Sequence, residues 1–354
     1  MYNILITEAG AAPAENVIKS FMECPKKEKI IGTGREPLSL IQSNAFRKYK
    51  IPHALEPNYK TALLRLLKLE RPKLAIFQND VEVVVASEFR KEIEETETKL
   101  FMSRHEVLEN CLDKYKSYKI WEEAGIKVPK SILINTEDDL ALAFKKLGNE
   151  EGNIWIRANV GAGGKGALPT NNYEFAKLWI DRVNGWGKFM AAELLTSRSV
   201  TWLSIWYEGE LVVAQTRRRK NWNFGNRTLS GVTGITGAAE TYSDDTVNRV
   251  AIDTILAMDH RPHGVYGVDM TYDHQQFPNP TEINNRFFTT VHFFTKAGLN
   301  MPKIYKDIIL YNEFPSLPKK INPLEDGLIW VRDMDHEPLL TREEEIMKHF
   351  IEIK

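Results

Sequence analysis

Ile154-Trp-Ile-Arg-Ala-Asn-Val-Gly-Ala-Gly-Gly-Lys-Gly-Ala-Leu168 is the stretch that decides how this chain is read. An apolar run from Ile154 to Ile156 ends in Arg157, and Gly161, Gly163, Gly164 and Gly166 surround Lys165. A strand that delivers one cation and then turns into a glycine-rich loop is a way of holding phosphate. Backbone N–H groups approach the anion closely where no Cβ intervenes, and the flanking cations neutralise its charge. The spacing is not that of a P-loop, and the loop does not open the first βαβ unit as a dinucleotide fingerprint would. Taken alone, such a glycine cluster reads equally well as a flexible turn.

Its partner lies far along the chain. Gly267-Val-Asp-Met-Thr-Tyr272 and Thr281-Glu-Ile-Asn-Asn-Arg286 flank a polar turn from Asp273 to Pro280. Two short strands joined by that turn bring Asp269 near Glu282. Glu282 and Asn284, two apart on a strand, share a face. Two carboxylates and an amide oxygen are hard ligands suited to Mg²⁺, which commonly takes one or two carboxylates plus substrate phosphates. Arg286 continues the alternation and adds a cation. The plainer alternative is a solvated hairpin, against which Ile283 between the polar positions argues for a packed strand.

Together these segments resemble the ATP-grasp superfamily, the fold of carbamoyl-phosphate synthase large subunits, biotin carboxylase and D-alanine–D-alanine ligase. The resemblance runs from about residue 1 to 312, and Glu282-Ile-Asn-Asn-Arg286 is its strongest motif. Asp113-Lys114, followed by Trp121-Glu-Glu-Ala-Gly-Ile-Lys-Val-Pro129, looks like the family's Asp-Lys helix and the segment that follows it. Arg157 stands where many members carry Lys. Glu193 stands at the hinge position that reads the adenine amino group. Ser197-Arg198-Ser199 replaces the usual Gly-x-Glu, which puts Ser199 at the ribose position. Gly231-Val-Thr-Gly-Ile-Thr-Gly237 and a helix from about Asp244 to Met258 precede the metal strands, as in the family.

The resemblance implies an α/β fold, α+β in its clamp: an N-terminal parallel Rossmann-like domain, then a two-lobed ATP-grasp domain. The boundaries expected are 1–100, then 101–312 with a clamp at about 127–193 and a metal and phosphate lobe at about 196–312, then a tail at 313–354 ending in a short helix. It also implies an ATP-dependent ligase that activates a carboxylate as an acyl phosphate and joins it to an amine. Lys114 and Arg157 would bind the α and β phosphates, and the loop with Gly161, Gly163, Gly164, Lys165 and Gly166 would close over the β and γ phosphates. Asp269, Glu282 and Asn284 would hold one or two Mg²⁺ ions, with Mn²⁺ as an alternative. Arg286 would stabilise the transferring phosphoryl, and Arg217 the acyl phosphate or an anionic acceptor. A carbamoyl-phosphate-type synthetase or kinase stopping at the phosphorylated product stays open, as does a non-catalytic ATP-binding regulator.

Composition fits an ordinary globular chain. Of 354 residues, 43% are hydrophobic and 27% charged, enough for two or three lobes with cores of their own. Lys and Arg number 47 against 48 Asp and Glu, so no bulk field draws nucleic acid or a membrane surface. The two cysteines, Cys24 and Cys111, make no disulfide framework and have no metal-ligand spacing. No cationic region followed by a long apolar core opens the chain, and no run is long enough to span a bilayer. A cytoplasmic protein acting on small molecules is expected, with a homodimer left open.

The chain begins with a strand, Asn3 to Thr7, and a helix through Phe21. Further strands, Lys29 to Gly32 and Lys73 to Phe77, each follow a helical stretch, which argues for a parallel sheet with crossover helices. Arg35, and Asn79-Asp80 at the strand ends, are candidate substrate contacts; each reads equally as an unliganded loop residue. Ser199 to Ile205 and Leu211 to Thr216 form a hairpin across Glu208-Gly209. It ends in Arg217-Arg-Arg-Lys220, where alternation puts only half the charge on one face, so a nucleic-acid site is the weaker reading. Arg219 joins Arg217 as a candidate substrate contact. Phe287, Phe288, Phe293 and Phe294 read as core rather than as a substrate box.

Overall fold

The opening alternation of strand and helix closes into a parallel sheet. A computed structural model of the protein describes residues 2–25, 28–161, 164, 166–334 and 336–346. In it β1 (Asn3–Ile6), β2 (Lys29–Gly34), β3 (Arg47–Lys50), β4 (Leu74–Ile76) and β5 (Lys99–Leu100) stand in the order β3-β2-β1-β4-β5. Helices Ala12–Met22, Tyr59–Glu70 and Asp80–Glu88 cover the sheet, so Ile4, Leu5 and Ile6 are all buried. A parallel strand covered on both faces reads as such a continuous apolar run. The order reverses between β1 and β4, which opens a crevice beyond their C-terminal ends. β3 was not anticipated: Arg47-Lys-Tyr-Lys50 is a charged edge strand and carries no apolar signature.

A second sheet is antiparallel. β6 (Ser131–Ile134), β7 (Ile154–Ala158), β8 (Leu168–Thr170) and β9 (Phe189–Glu193) run in the order β6-β9-β7-β8. The helices Glu137–Leu147 and Tyr173–Arg182 pack on it. Thr136 caps the first of them in a reciprocal box with Asp139.

The third sheet carries most of the chemistry-bearing residues. β10 (Ser199–Tyr207), β11 (Glu210–Trp222), β12 (Thr236–Thr241), β13 (Gly264–Tyr272), β14 (Pro278–Asn284), β15 (Leu328–Asp333) and β16 (His336–Arg342) stand in the order β14-β13-β10-β11-β12-β15-β16. Helix Asp245–Met258 buries one stripe against it, and Asp244 caps that helix by accepting from the N–H groups of Thr246 and Val247. Phe287, Phe293 and Phe294 are buried core, as read.

The expected tail from residue 313 onward is corrected. Two of its segments, β15 and β16, extend this sheet beside β12, and Trp330 stacks on Phe293 with ring centroids 5.7 Å apart. Pro315, Pro318 and Pro323 precede these strands, and the chain returns to the sheet edge after them. The short helix begins at Glu343–Ile346, and the rest of its expected length lies outside the described residues. Cys24 and Cys111 are buried free thiols. Among the described residues no helix is long and apolar enough to cross a membrane.

Candidate active site

The β13–β14 hairpin sets the centre of the site. Its register puts Asp269 opposite Glu282 and Gly267 opposite Asn284, so both carboxylates and the amide lie on one face. Thr201 on β10, opposite Asp269, donates from Oγ1 to Asp269 Oδ1 at 2.8 Å. Asn284 Nδ2 donates to Asp269 Oδ2 at 3.2 Å, while its Oδ1 accepts from Arg286 Nη2 at 3.2 Å. Arg286 Nε then bonds Asp80 Oδ2 at 2.9 Å, which ties this sheet to the crevice of the parallel one.

Glu282 also ties the sheet to the clamp. Arg157, near the end of β7, donates from Nη2 to Glu282 Oε2 at 2.8 Å. Lys114 opens helix Lys114–Glu123, which Asp113 caps, and its Nζ lies 3.4 Å from the same oxygen. The Lys114 ammonium also donates to the Gly161 carbonyl at 2.7 Å. Burial opposes ionisation of Glu282, yet the charges of Lys114 and Arg157 outweigh it and hold its pKa below the usual carboxylate range. Asp269 goes the other way: burial raises its pKa, Arg219 opposes the rise and the Glu282 charge adds to it. Burial lowers the pKa of Lys114, with Glu282 opposing. The two acids therefore sit in one polar patch with unequal compensation, an arrangement associated with functional sites.

β11 supplies the other wall. Alternation sends Arg217 and Arg219 to the cavity, while Arg218 and Lys220 bond Glu240 at 2.5 and 2.9 Å. The four-cation run is thus split between two environments. Arg219 donates from Nη1 to Ser199 Oγ at 2.5 Å and from Nε to Thr236 Oγ1 at 3.1 Å, lies 3.7 Å from Asp269 Oδ1, and sits 3.6 Å from the Trp222 ring centroid. Burial, and then the like charge of Arg219, lower the pKa of Arg217 to about 9, which leaves it a cation at neutral pH.

These groups line one cavity of about 620 Å³, walled by Lys114, Arg157, Glu193, Ser199, Arg217, Arg219, Asp269, Glu282, Asn284 and Arg286. That volume suits a ligand of nucleotide size with a small co-substrate. Gly161 and Gly164 line it as well. Gly164 has φ +68°, and a Cβ there would come within 2.6 Å of the Val232 carbonyl oxygen, so only glycine lets the two loops meet. Gly166, at φ +77°, packs against Phe189. Gly163 and Lys165 lie outside the described residues.

Not every candidate converges. Arg35 is exposed beyond β2 and does not line the cavity. Asn79 spends its side-chain oxygen capping helix Asp80–Glu88, accepting from the N–H groups of Val81 and Glu82. Asp80 reaches the site through its ion pair with Arg286. Glu193 lines the cavity, but its carboxylate accepts from the Lys130 N–H at 3.1 Å and lies 3.7 Å from Lys130 Nζ. Sequence reasoning missed Thr201 and Thr236; the period-two pattern from Ser199 pointed at the first, and nothing local at the second.

As a cation site, Asp269, Glu282 and Asn284 offer oxygen donors of the hard kind. Among the described residues no group of three His, Cys, Asp or Glu gathers to hold a metal. A divalent ion here would therefore complete its coordination with an amide oxygen, water and ligand phosphates, which is how Mg²⁺ is usually bound.

Three sheets, loop glycines lining a cation-rich cavity and a hairpin carrying two acids define the class. The family model of the ATP-grasp domain matches residues 111–290, and the chain belongs to that family. Among solved structures it is similar to an L-amino acid ligase from Bacillus licheniformis, at TM-score 0.66 and 13% identity over 93% of this chain and 79% of that one. It is similar to N5-carboxyaminoimidazole synthetase from Staphylococcus aureus, at TM-score 0.68 and 12% identity over 93% and 82%. It is also similar to biotin carboxylase from Campylobacter jejuni, at TM-score 0.67 and 16% identity over 94% and 75%. At these identities the likeness is one of fold. No curated protein matches the chain in sequence.

Proposed function

We propose that this protein is an ATP-dependent ligase that activates a carboxylate as an acyl phosphate and joins it to an amine, releasing ADP and phosphate. The observation that supports this best is the convergence of Lys114, Arg157, Asp269, Glu282, Asn284 and Arg286, from separate elements, on one cavity. A carboxylate is a poor electrophile because its leaving group would be oxide. Its oxygen attacks the γ-phosphorus, and ADP departs with the electron pair of the P–O bond. The amine then attacks the acyl carbon, phosphate leaves with the C–O pair, and the nitrogen gives up a proton. Such transfers need positioning and charge neutralisation more than covalent catalysis.

In this reading Lys114 and Arg157 hold the α and β phosphates, and Gly161, Gly164 and Gly166 would lie over the β and γ phosphates and keep water from the acyl phosphate. Glu193 and Ser199 lie along the nucleoside end. Asp269, Glu282 and Asn284 would hold Mg²⁺, which would neutralise phosphate charge when bound. Arg286, aimed by Asp80, stabilises charge on the transferring phosphoryl and on the tetrahedral intermediate. Arg217 meets the acyl phosphate or an anionic acceptor. Residues 1–100 would form the acceptor domain and 101–312 the catalytic one, with β15 and β16 buttressing its sheet.

The test is phosphate and ADP release from Mg-ATP with pools of amino acids, small carboxylates and amines. Release is expected to require one acid and one amine, and to fall on the order of 10³-fold in Glu282→Ala. Release needing an acid alone would favour a kinase that stops at the phosphorylated product. Failure to bind ATP would sink the reading.

A further inference from the structure

Arg217 is buried without an anion. Its side chain is 2% exposed, Nε has no hydrogen-bond partner, and Nη1 only reaches Thr236 Oγ1 at 3.5 Å. Like charges on Arg219 and Arg332 act on it, and Asp269 offsets them in part. Asp269 is itself engaged by Thr201 and Asn284. Phe288 backs the Arg217 guanidinium at 5.3 Å, as Trp222 backs that of Arg219, and both arginines line the cavity. A buried guanidinium is costly unless an anion meets it, and the cavity that Arg217 lines is where a ligand oxyanion can supply one.

The sheet shows which ligand. Thr201 pairs with Asp269 on one side and Arg217 on the other, so the two backbones are two strands apart, about 10 Å. The reacting carboxylate has to lie against the γ-phosphate beside Asp269 and Glu282, if the ligase reading above holds. A short acid with a second oxyanion spans from there to Arg217. We propose that the acid substrate is such a dianion, its second carboxylate or phosphate gripped by Arg217 with Arg219. A guanidinium meets either oxyanion through paired N–H bonds.

The experiment fills the nucleotide position with Mg-bound β,γ-imido-ATP and titrates acids by calorimetry. Malonate, succinate, glutarate, phosphonoacetate and phosphonopropionate are set against acetate, propionate and butyrate. At least one dianion should bind about tenfold or more tighter than its monoanionic counterpart, and Arg217→Met, titrated with imido-ATP at saturation, should erase that difference. Preference between the dicarboxylates and the phosphonates tells which oxyanion is read. Removing an unpaired buried charge should also raise the melting temperature of the ligand-free Arg217→Met protein by about 1–2 °C. Equal binding of mono- and dianions, no binding by any dianion in the series, or a dianion preference kept in Arg217→Met would overturn the proposal. A lowered melting temperature would overturn it too, since it marks a structural arginine. Imido-ATP failing to bind would instead overturn the ligase reading on which it rests.

Discussion

Lys306 and Arg217 are equally buried cations, at 1% and 2% exposure, in two regions that treat charge differently. Lys306, on helix Met301–Tyr311 where it packs against the parallel sheet, donates to Glu28 Oε1 at 2.7 Å and lies 2.9 Å from Asp307 Oδ1. The Tyr311 ring lies 5.3 Å away. Arg217, on the cavity face of the third sheet, has neither a carboxylate partner nor a bond for Nε. A structural charge arrives with its anions in the chain itself. A ligand-binding charge is left for something else to complete, and the fold carries that cost.

Lys306→Met breaks the comparison hardest. It strands Glu28 without its cation, while Asp307 keeps Lys303, and should lower unfolding stability by about 3–5 kcal/mol in urea titrations, with phosphate release per folded molecule unchanged. A stable Lys306→Met protein would mean that paired and unpaired buried cations are alike here.

Glu82 extends the contrast to an acid. It is buried at the ends of β1 and β4, where Thr7 Oγ1 and, at 2.7 Å, Tyr59 OH donate to it, and among the described residues no cation acts on it. Burial is the main cause that raises its pKa to about 7. The folded protein therefore holds this proton where the unfolded chain, with a carboxyl pKa near 4.3, has lost it. Stability is full below the unfolded value and declines as pH rises to the folded one. The fall across roughly pH 4.5 to 7 should be about 3 kcal/mol, and Glu82→Gln should flatten it. An unchanged slope in Glu82→Gln, measured by urea midpoints at several pH values, would assign the loss to another group.

Arg217→Met gives the smallest stability change, a gain of about 1 kcal/mol in the ligand-free protein. Its sign matters more than its size, being opposite to that of Lys306→Met.

How much was readable in advance follows from range. Asp269, Glu282 and Asn284 were legible because a hairpin turn and a period of two place them within a short segment, and the register bears that out. The split of Arg217 and Arg219 from Arg218 and Lys220 followed from the same period. β3 was hidden by its charged edge, and β15 and β16 by the prolines before them. Arg35 looked placed for a ligand because it follows a strand, but the strand order decides which ends meet the cavity, and β2 is not one of them.

The sequence by itself determined the local pieces: strand and helix periods, caps, the glycine-rich turn and the chemical type of each side chain. These depend on interactions within a few residues, where chain geometry leaves few choices. Only the tertiary structure decided that Arg157 meets Glu282 across 125 residues, that Asp80 aims Arg286 across 206, and that Arg217 is sealed from solvent without an anion. Those contacts depend on how three sheets pack, and no local pattern encodes which distant groups that packing brings together.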